Sequence, residues 1–363
     1  MKKLALIILS VYLFLTSLQS LSAPLGASTA ITQLPVIVDL DADFEDVTAL
    51  AYLERLVQLS LMGQEQQQFV PPVVTMVCTG FGLCDNANNI KGIYSLLNMI
   101  APAIGSGREQ AQLFPDRHFS TEIRHEADNL YGLLKEPMGS SKNDAVEVLW
   151  DKLKSLQSGK AVILALGPLT NIADLLDRYP QSEEKIDRIF MMGGAVTVGG
   201  NVAYDDPIDF PEYTQSEWNI FLDPVSASKV LSRRHSFQVY MVPLDSTNFV
   251  PYSQQVFQQF GALANKTTSA AVVYQLLQKN PQFYKDPDNT VYFWNTLTAM
   301  LMANESLLSD PSTEIRKCRI EVDQTSSATS GRTTCTGAGD INVVTKVSSQ
   351  LFYQQLFNSF SWY

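Results

Sequence analysis
Five carboxylates fall within eight residues in Asp39-Leu-Asp41-Ala-Asp43-Phe-Glu45-Asp46. Acids at that density cannot all ionise side by side unless a cation, hydrogen bonds or solvent hold them apart. Oxygen-only donors of this kind suit a hard divalent ion. An acid next to such an ion is placed to take a proton from water. The chemistry on offer is metal-assisted hydrolysis, with the rest of the chain supplying the substrate pocket.

The flanking residues place this cluster. Pro35-Val-Ile-Val is a short β-branched run, and Val47, Leu50 and Leu53 follow at helical spacing. The acids therefore sit at the carboxyl end of a buried strand, just before a helix, where α/β folds bind ligands. Further strands are predicted at 73–78, 101–105, 161–166, 188–192, 237–242, 320–323 and 341–346. Helices are predicted at 88–100, 144–156, from Leu169 onward, and at 251–280, 291–303 and 349–359. The unbroken apolar run Ala161-Val-Ile-Leu-Ala-Leu166 is that of a parallel strand covered on both faces. Strands alternating with helices predict an α/β fold with an open, mainly parallel, Rossmann-like sheet. No repeat or linker interrupts it, so residues 31–363 read as one domain.

Composition narrows the partners. Of 363 residues, 26 are Lys or Arg and 37 are Asp or Glu, a net charge of −11 that argues against a nucleic-acid partner. Met1-Lys-Lys followed by the apolar Leu4–Leu15 and the small-residue site Leu21-Ser22-Ala23 reads as a signal peptide over residues 1–23. Pro24 is a poor residue at that cut, so cleavage after Ala27 or Ala30 stays open. The apolar run is short for a membrane span. The expectation is export to the periplasm or the medium, with no stable membrane association after cleavage. In an oxidising compartment, local disulfides Cys78–Cys84 and Cys318–Cys335 are the simplest of three pairings. No C-x-x-C occurs and none of the three histidines has ligand spacing to a cysteine, which argues against zinc.

Motif spacing then separates the hydrolytic readings. An EF-hand counted from Asp39 needs Gly and Glu where Phe44 and Leu50 stand, so that reading fails. A haloacid-dehalogenase-type phosphatase would use Asp39 as nucleophile and Asp41 as acid/base. It also needs a late strand ending in an acidic pair, which Gly339-Asp340-Ile-Asn342 only imitates. A third pattern covers more of the chain. Pro35-Val-Ile-Val-Asp39-x-Asp41-x3-Glu45-Asp46 resembles the D-x-D-x-x-x-D-D signature of the inosine–uridine nucleoside hydrolase family. Four later stretches agree in order: Leu166-Gly-Pro-Leu-Thr170-Asn171; Met192-Gly-Gly-Ala with Gly200-Asn201; Glu217-Trp218-Asn219-Ile-Phe-Leu-Asp223-Pro224; and Tyr292-Phe-Trp294-Asn295. Weaker echoes are Val242-Pro-Leu-Asp245, Arg124-His125-Glu-Ala-Asp128 with Tyr131-Gly132, and Ser330-Gly-Arg-Thr-Thr334.

The resemblance implies a Ca²⁺-dependent hydrolase of the N-glycosidic bond, acting through an oxocarbenium-like ribose. It makes Asp41 both a Ca²⁺ ligand and the base for the attacking water. Asp46, the Leu166 carbonyl and Asn295 become further Ca²⁺ ligands, and Asp39 an outer carboxylate that orients the loop. Glu45, Asn201, Glu217 and Asn219 would hold ribose hydroxyls. Trp294 would stack on the base, which slightly favours purine nucleosides. A homo-oligomer is compatible with this. Asp43 is expected to be the least ready of the five acids to touch the metal, and to take the left-handed turn where the family has Pro-Gly. Glu45 and Asn295 stand where the family has Asp, and Gly80-Phe81-Gly82 offers no general acid, leaving Asp85, His118 and His125 as substitutes. Those departures keep a non-catalytic nucleoside- or ribose-binding protein as an alternative. Without the resemblance, Trp294 is as readily a core residue, Glu217 and Asn219 alternate as half-buried strand residues do, Asn201 is a turn residue, and Asn171 caps or packs.

Overall fold
The computed structural model describes residues 33–62, 68–69, 73–156, 159–286 and 290–361. The expected signal peptide lies outside those residues. Among the described residues thirteen strands run in chain order: β1 (Gln33–Leu34), β2 (Val36–Leu40), β3 (Gln68–Phe69), β4 (Val73–Met76), β5 (Ile104–Ser106), β6 (Asn143–Asp144), β7 (Ala161–Ala165), β8 (Ile186–Met192), β9 (Gln238–Val242), β10 (Glu314–Cys318), β11 (Ile320–Val322), β12 (Thr333–Cys335) and β13 (Ile341–Lys346). Nine of them form one sheet in the order β10-β13-β9-β8-β7-β2-β4-β5-β6. Only the edge strand β10 runs antiparallel, against β13.

The apolar runs divide by residue parity, as a sheet covered on both faces requires. Val36, Val38 and Leu40 of β2, with Val162 and Leu164 of β7, enter a core under the helices Phe44–Leu61, Gln254–Leu263, Thr268–Lys279, Trp294–Ala303 and Ser349–Ser361. Ile37, Ala161, Ile163 and Ala165 face the opposite core, under Ala145–Ser155, Thr170–Arg178 and Pro224–Leu231. Each fully buried Val, Leu or Ile stabilises by about 1.5–3 kcal/mol, so the two cores fix the central strands firmly.

The order of the strands matters most for the site. After β2 the chain builds outward through β4, β5 and β6, then returns to β7 on the other side of β2 and builds outward again. Strand β2 is therefore the point of reversal, and the crevice at its carboxyl end is open to a ligand. Asp39 lies in β2 and Asp41 just beyond it. By contrast Asp340 immediately precedes β13, a strand parallel to β9, so it lies at the other end of the sheet, ion-paired with Arg234 at 3.2 Å. The acidic pair a dehalogenase-type phosphatase needs is thus absent from the carboxyl end of that strand.

Both expected disulfides are formed, Cys78–Cys84 and Cys318–Cys335. No described helix is long and apolar enough to cross a membrane. The long helix predicted over 251–280 is two, Gln254–Leu263 and Thr268–Lys279, the second capped by the Thr267 side chain on Ala270 N.

Candidate active site
The loop after β2 is shaped by its own acids. Asp43 caps the Phe44–Leu61 helix, its Oδ1 accepting from Asp46 N at 2.8 Å, while Asp46 Oδ2 accepts from the backbone of Asp41 and Asp43, each at 3.2 Å. This reciprocal box satisfies helix N–H groups that otherwise have no partner. Ala42, at φ +63°, takes the left-handed turn expected of Asp43, which has φ −69°. Alanine bears a cost of about 1 kcal/mol there.

Oxygens of Asp41, Asp43 and Asp46 all lie within 4.8 Å of one another. Asp43 therefore belongs to the acid cluster from which the sequence had set it apart. Asp41 Oδ2 accepts from Phe81 N at 2.9 Å, and its Oδ1 is buried with no hydrogen-bond partner among the described residues. Burial, then the charge of Asp43, holds the Asp41 carboxyl well above its ordinary range; burial and the charges of Asp43 and Asp41 do the same to Asp46. Burial also lifts Asp43 to about 6. Full charges 4.8 Å apart repel by about 3 kcal/mol at an effective dielectric of 20. A set of crowded, dehydrated oxygen donors with an orphaned oxygen among them fits a hard divalent cation, which reverses the sign of that interaction.

The surroundings hold Asp41 by leaving room for it. A Cβ on Gly80 would overlap Asp41 Oδ2, and one on Gly167 would lie 2.9 Å from Asp41 Cβ. Behind it, Asp39 Oδ1 accepts from Thr75 Oγ1 at 2.6 Å and Asn171 Nδ2 at 2.8 Å, and burial lifts its pKa to about 7. Asn171 packs, as expected, and steadies Asp39 in doing so.

Asp41 and Asp43 open onto a cavity of about 540 Å³. Asn201, Glu217, Asn219, Trp294 and Asn295 line it too. Glu217 and Asn219 are not strand residues. Glu217 caps the short helix Trp218–Leu222, accepting from Asn219 N at 3.0 Å, Ile220 N at 3.3 Å and Gly194 N at 2.8 Å. Its side chain is fixed by three N–H donors, and burial lifts its pKa to about 7. Asn219 Nδ2 donates to the Leu166 and Met192 carbonyls at 3.1 and 3.2 Å, and Asn201 Oδ1 accepts from Trp218 N at 3.2 Å.

Two expected ligands are turned to other partners. Asn295 presents its NH₂ group, donating to Asp46 Oδ1 at 3.0 Å and Asp43 Oδ1 at 3.2 Å, so to ligate it must turn its Oδ1 inward. The Leu166 carbonyl is occupied by Asn219. Glu45, expected on the sugar, is turned away from the cavity. It accepts from Tyr252 Oη and from Thr296 N (3.2 Å), fully buried beneath the Trp294–Ala303 helix. Asp85, His118 and His125 do not line the cavity: His118 Nδ1 meets its neighbour's carbonyl, Phe119 O, at 2.8 Å and His125 Nδ1 meets Asp128 at 2.6 Å.

The opposite walls are aromatic and were mostly missed. Phe44, Phe81, Phe119, Trp218 and Phe283 join Trp294 around the cavity, with Phe119 stacked on Trp218 at 4.1 Å. Asp205, which accepts from Trp218 Nε1 at 2.9 Å, also lines it, as do Glu126 and Tyr131. These residues sit in loops or near the ends of helices. Phe44, Phe81, Glu126, Trp218 and Tyr131 fall in or beside motifs that give them no role, and Phe119, Asp205 and Phe283 carry no signal. The arrangement can grip hydroxyls next to a buried acid cluster and hold a flat ring between aromatic faces.

The sequence profile of the inosine-uridine preferring nucleoside hydrolase family matches residues 36–354. A fission-yeast protein, from Schizosaccharomyces pombe, is 26% identical over 57% of this chain. Nucleoside hydrolase 3 of Arabidopsis thaliana is 26% identical over 73% of it. The chain spans 62% of the length of the first and 35% of the second. Pyrimidine-specific ribonucleoside hydrolase RihA of a Shewanella species is 28% identical over 70% of this chain and 71% of its own. Among solved structures, the inosine-uridine preferring nucleoside hydrolase of Bacillus anthracis superposes with a TM-score of 0.70 at 21% identity, covering 91% of this chain and 99% of that one. The purine-preferring ribonucleoside hydrolase of Gardnerella vaginalis gives 0.66 at 21%, covering 90% and 98%. With that profile matching residues 36–354, nearly the whole described chain from the acid loop to the last helix, the chain belongs to the inosine-uridine preferring nucleoside hydrolase family.

Proposed function
We propose that the chain hydrolyses the N-glycosidic bond of ribonucleosides to ribose and free base, with Ca²⁺ as its cation and purine nucleosides slightly favoured. One observation carries the reading. The orphaned Oδ1 of Asp41 belongs to a buried acid cluster on the wall of a cavity that also holds amides, a glutamate and aromatic faces. Asp41, Asp43 and Asp46 would hold the cation, joined by Asn295 through its amide oxygen and by the Leu166 carbonyl. A bound divalent cation supplies a water of lowered pKa and a grip on sugar hydroxyls.

The chain's own groups then divide the work. Asp41 accepts the proton of the attacking water. Asp39, Gly80 and Gly167 keep that carboxylate in place. Asn201, Glu217 and Asn219 hold the ribose hydroxyls through bonds that strengthen as the ring flattens toward the transition state. Trp294, with Phe81 and Trp218, gives a purine more face to stack on than a pyrimidine. Relatives named for pyrimidine and for purine specificity are both similar to this chain, so the preference rests on those walls. Residues 1–23 serve export, a reading supported by the two disulfides, which persist in oxidising compartments.

Release of reducing sugar from inosine, guanosine, adenosine, uridine and cytidine, with Ca²⁺ and then with chelator, tests this. Ca²⁺-dependent turnover with purines ahead is expected. Calorimetric binding of nucleosides without any turnover would select a non-catalytic binding protein instead.

A further inference from the structure
We propose that Tyr131 is a substrate-contacting residue, its hydroxyl donating a hydrogen bond to the bound nucleoside. This rests on the reading of the cavity as a nucleoside site. Tyr131 lines that cavity, is only 4% exposed, and its hydroxyl oxygen is buried with no hydrogen-bond partner among the described residues. A buried hydroxyl without a partner is a cost to the folded state. A group that enters the cavity with an acceptor removes that cost.

The surroundings hold the ring in place for such a role. Its edges meet Phe44 at 5.9 Å and Phe283 at 6.0 Å, and Phe81 lies at 6.1 Å. Phe44 directly follows Asp43, and the N–H of Phe81 binds Asp41. Tyr131 is thus packed between the two residues that flank the acid cluster and also belong to the aromatic wall. That is the boundary where a sugar held by the acids would meet a base held by the rings.

The backbone is bent to reach this position. Leu130 at φ +50° and Tyr131 at φ +56° are consecutive left-handed residues, neither of them glycine. Such geometry persists where surrounding bonds over-determine it, commonly at functional sites. Here Tyr131 N donates to Glu126 O at 2.8 Å, Asn280 Nδ2 donates to Tyr131 O at 3.0 Å, and Gly132 N donates to Asn129 Oδ1 at 2.8 Å. A phenol, with an ordinary pKa near 10, keeps its proton at neutral pH and meets the substrate as a donor.

The test compares the full chain and its Tyr131→Phe variant in Ca²⁺. It reads kcat and KM on inosine and on its 2′-, 3′- and 5′-deoxy analogues, together with the unfolding midpoint without substrate. Loss of one neutral hydrogen bond lowers kcat/KM on inosine by about three- to tenfold. The midpoint stays level or rises, because no bond within the protein is lost. On an analogue lacking the contacted hydroxyl the loss vanishes; a loss that persists on all three places the contact on the base or ring oxygen, and either result supports the assignment. Unchanged kinetics on inosine, or a lowered midpoint that accounts for reduced activity, overturns it. A wild-type chain inactive on every nucleoside overturns the underlying reading of the cavity instead.

Discussion

Replacing Asp41 by Asn separates the two things this carboxylate does. The side chain is 3% exposed, with one oxygen on Phe81 N at 2.9 Å and the other orphaned. Asparagine has the same shape and its carbonyl can keep the Phe81 bond, so the change removes charge and basicity with little else. Two acids, Asp43 and Asp46, lie within 4.8 Å. At an effective dielectric of 20 each full charge pair repels by about 3 kcal/mol, an upper bound because acids of raised pKa are partly protonated. The metal-free variant should therefore melt a few degrees higher than wild type at pH 8. The difference should shrink toward pH 4, where the acids carry protons in both proteins. Addition of Ca²⁺ should raise the variant's midpoint by less than it raises that of wild type. Turnover of inosine should fall by about 10²–10⁴-fold, the usual contribution of a positioned general base. Thermal melts by circular dichroism, with chelator and with Ca²⁺, and a ribose-release assay read these effects. Undiminished turnover would remove Asp41 from the base role. A lower metal-free midpoint with an undiminished Ca²⁺ response would refute the crowded-charge account.

Other perturbations follow from the same geometry. Asn295 bridges Asp43 and Asp46 with its NH₂ group, so Asn295→Asp should lower the midpoint in chelator at pH 8 and tighten Ca²⁺ binding, read by melts and by calorimetry. Gly80→Ala pushes a methyl into Asp41; a displacement on the 1 Å scale costs roughly 10²-fold in kcat, whereas an unchanged rate would mean Asp41 is not held by that fit. Glu217 is 2% exposed and burial raises its pKa from 4.5 to about 7. The unfolded chain releases this proton first, so the group's contribution is complete below pH 4.5 and is lost as pH rises to about 7, roughly 3 kcal/mol in all. Glu217→Gln should flatten that part of the stability–pH curve, measured in chelator between pH 4.5 and 7.5, and equal slopes in the two proteins would count against it.

The sheet was legible because its central strands are apolar on both faces: Val36–Val38 and Ala161–Leu166 are the short apolar runs expected of covered parallel strands. Edge strand β10, Glu-Ile-Arg-Lys-Cys, gave no such signal, since four of its five residues are exposed and charges protect an open edge. Within the site, Asp41 and Asp46 were readable from their spacing as members of one acid cluster. Glu45 was not, because it is a rotation problem. Neighbours on a helix point about 100° apart, so with Asp46 facing the loop Glu45 turns toward Tyr252 and Thr296. Asp43 was misplaced for a related reason: Ala42 absorbs the left-handed turn, which brings Asp43 back as cap and cluster member. Glu217 and Asn219 alternate in sequence like strand residues, yet a helix cap places both at the cavity. The aromatic walls come from segments distant in the chain, and only the assembled fold brings Phe119 onto Trp218.

Hydrolysis of a nucleoside at a cation site on the Asp41 loop underlies every role proposed above. The most direct measurement runs the purified chain with inosine in ¹⁸O-enriched water, with Ca²⁺ and then with chelator, and follows the products by mass spectrometry. Free hypoxanthine together with ribose bearing one ¹⁸O is expected, both lost on chelation and restored by Ca²⁺. Absence of ribose from inosine and from every other ribonucleoside in saturating Ca²⁺, or release that proceeds equally in chelator, would contradict it.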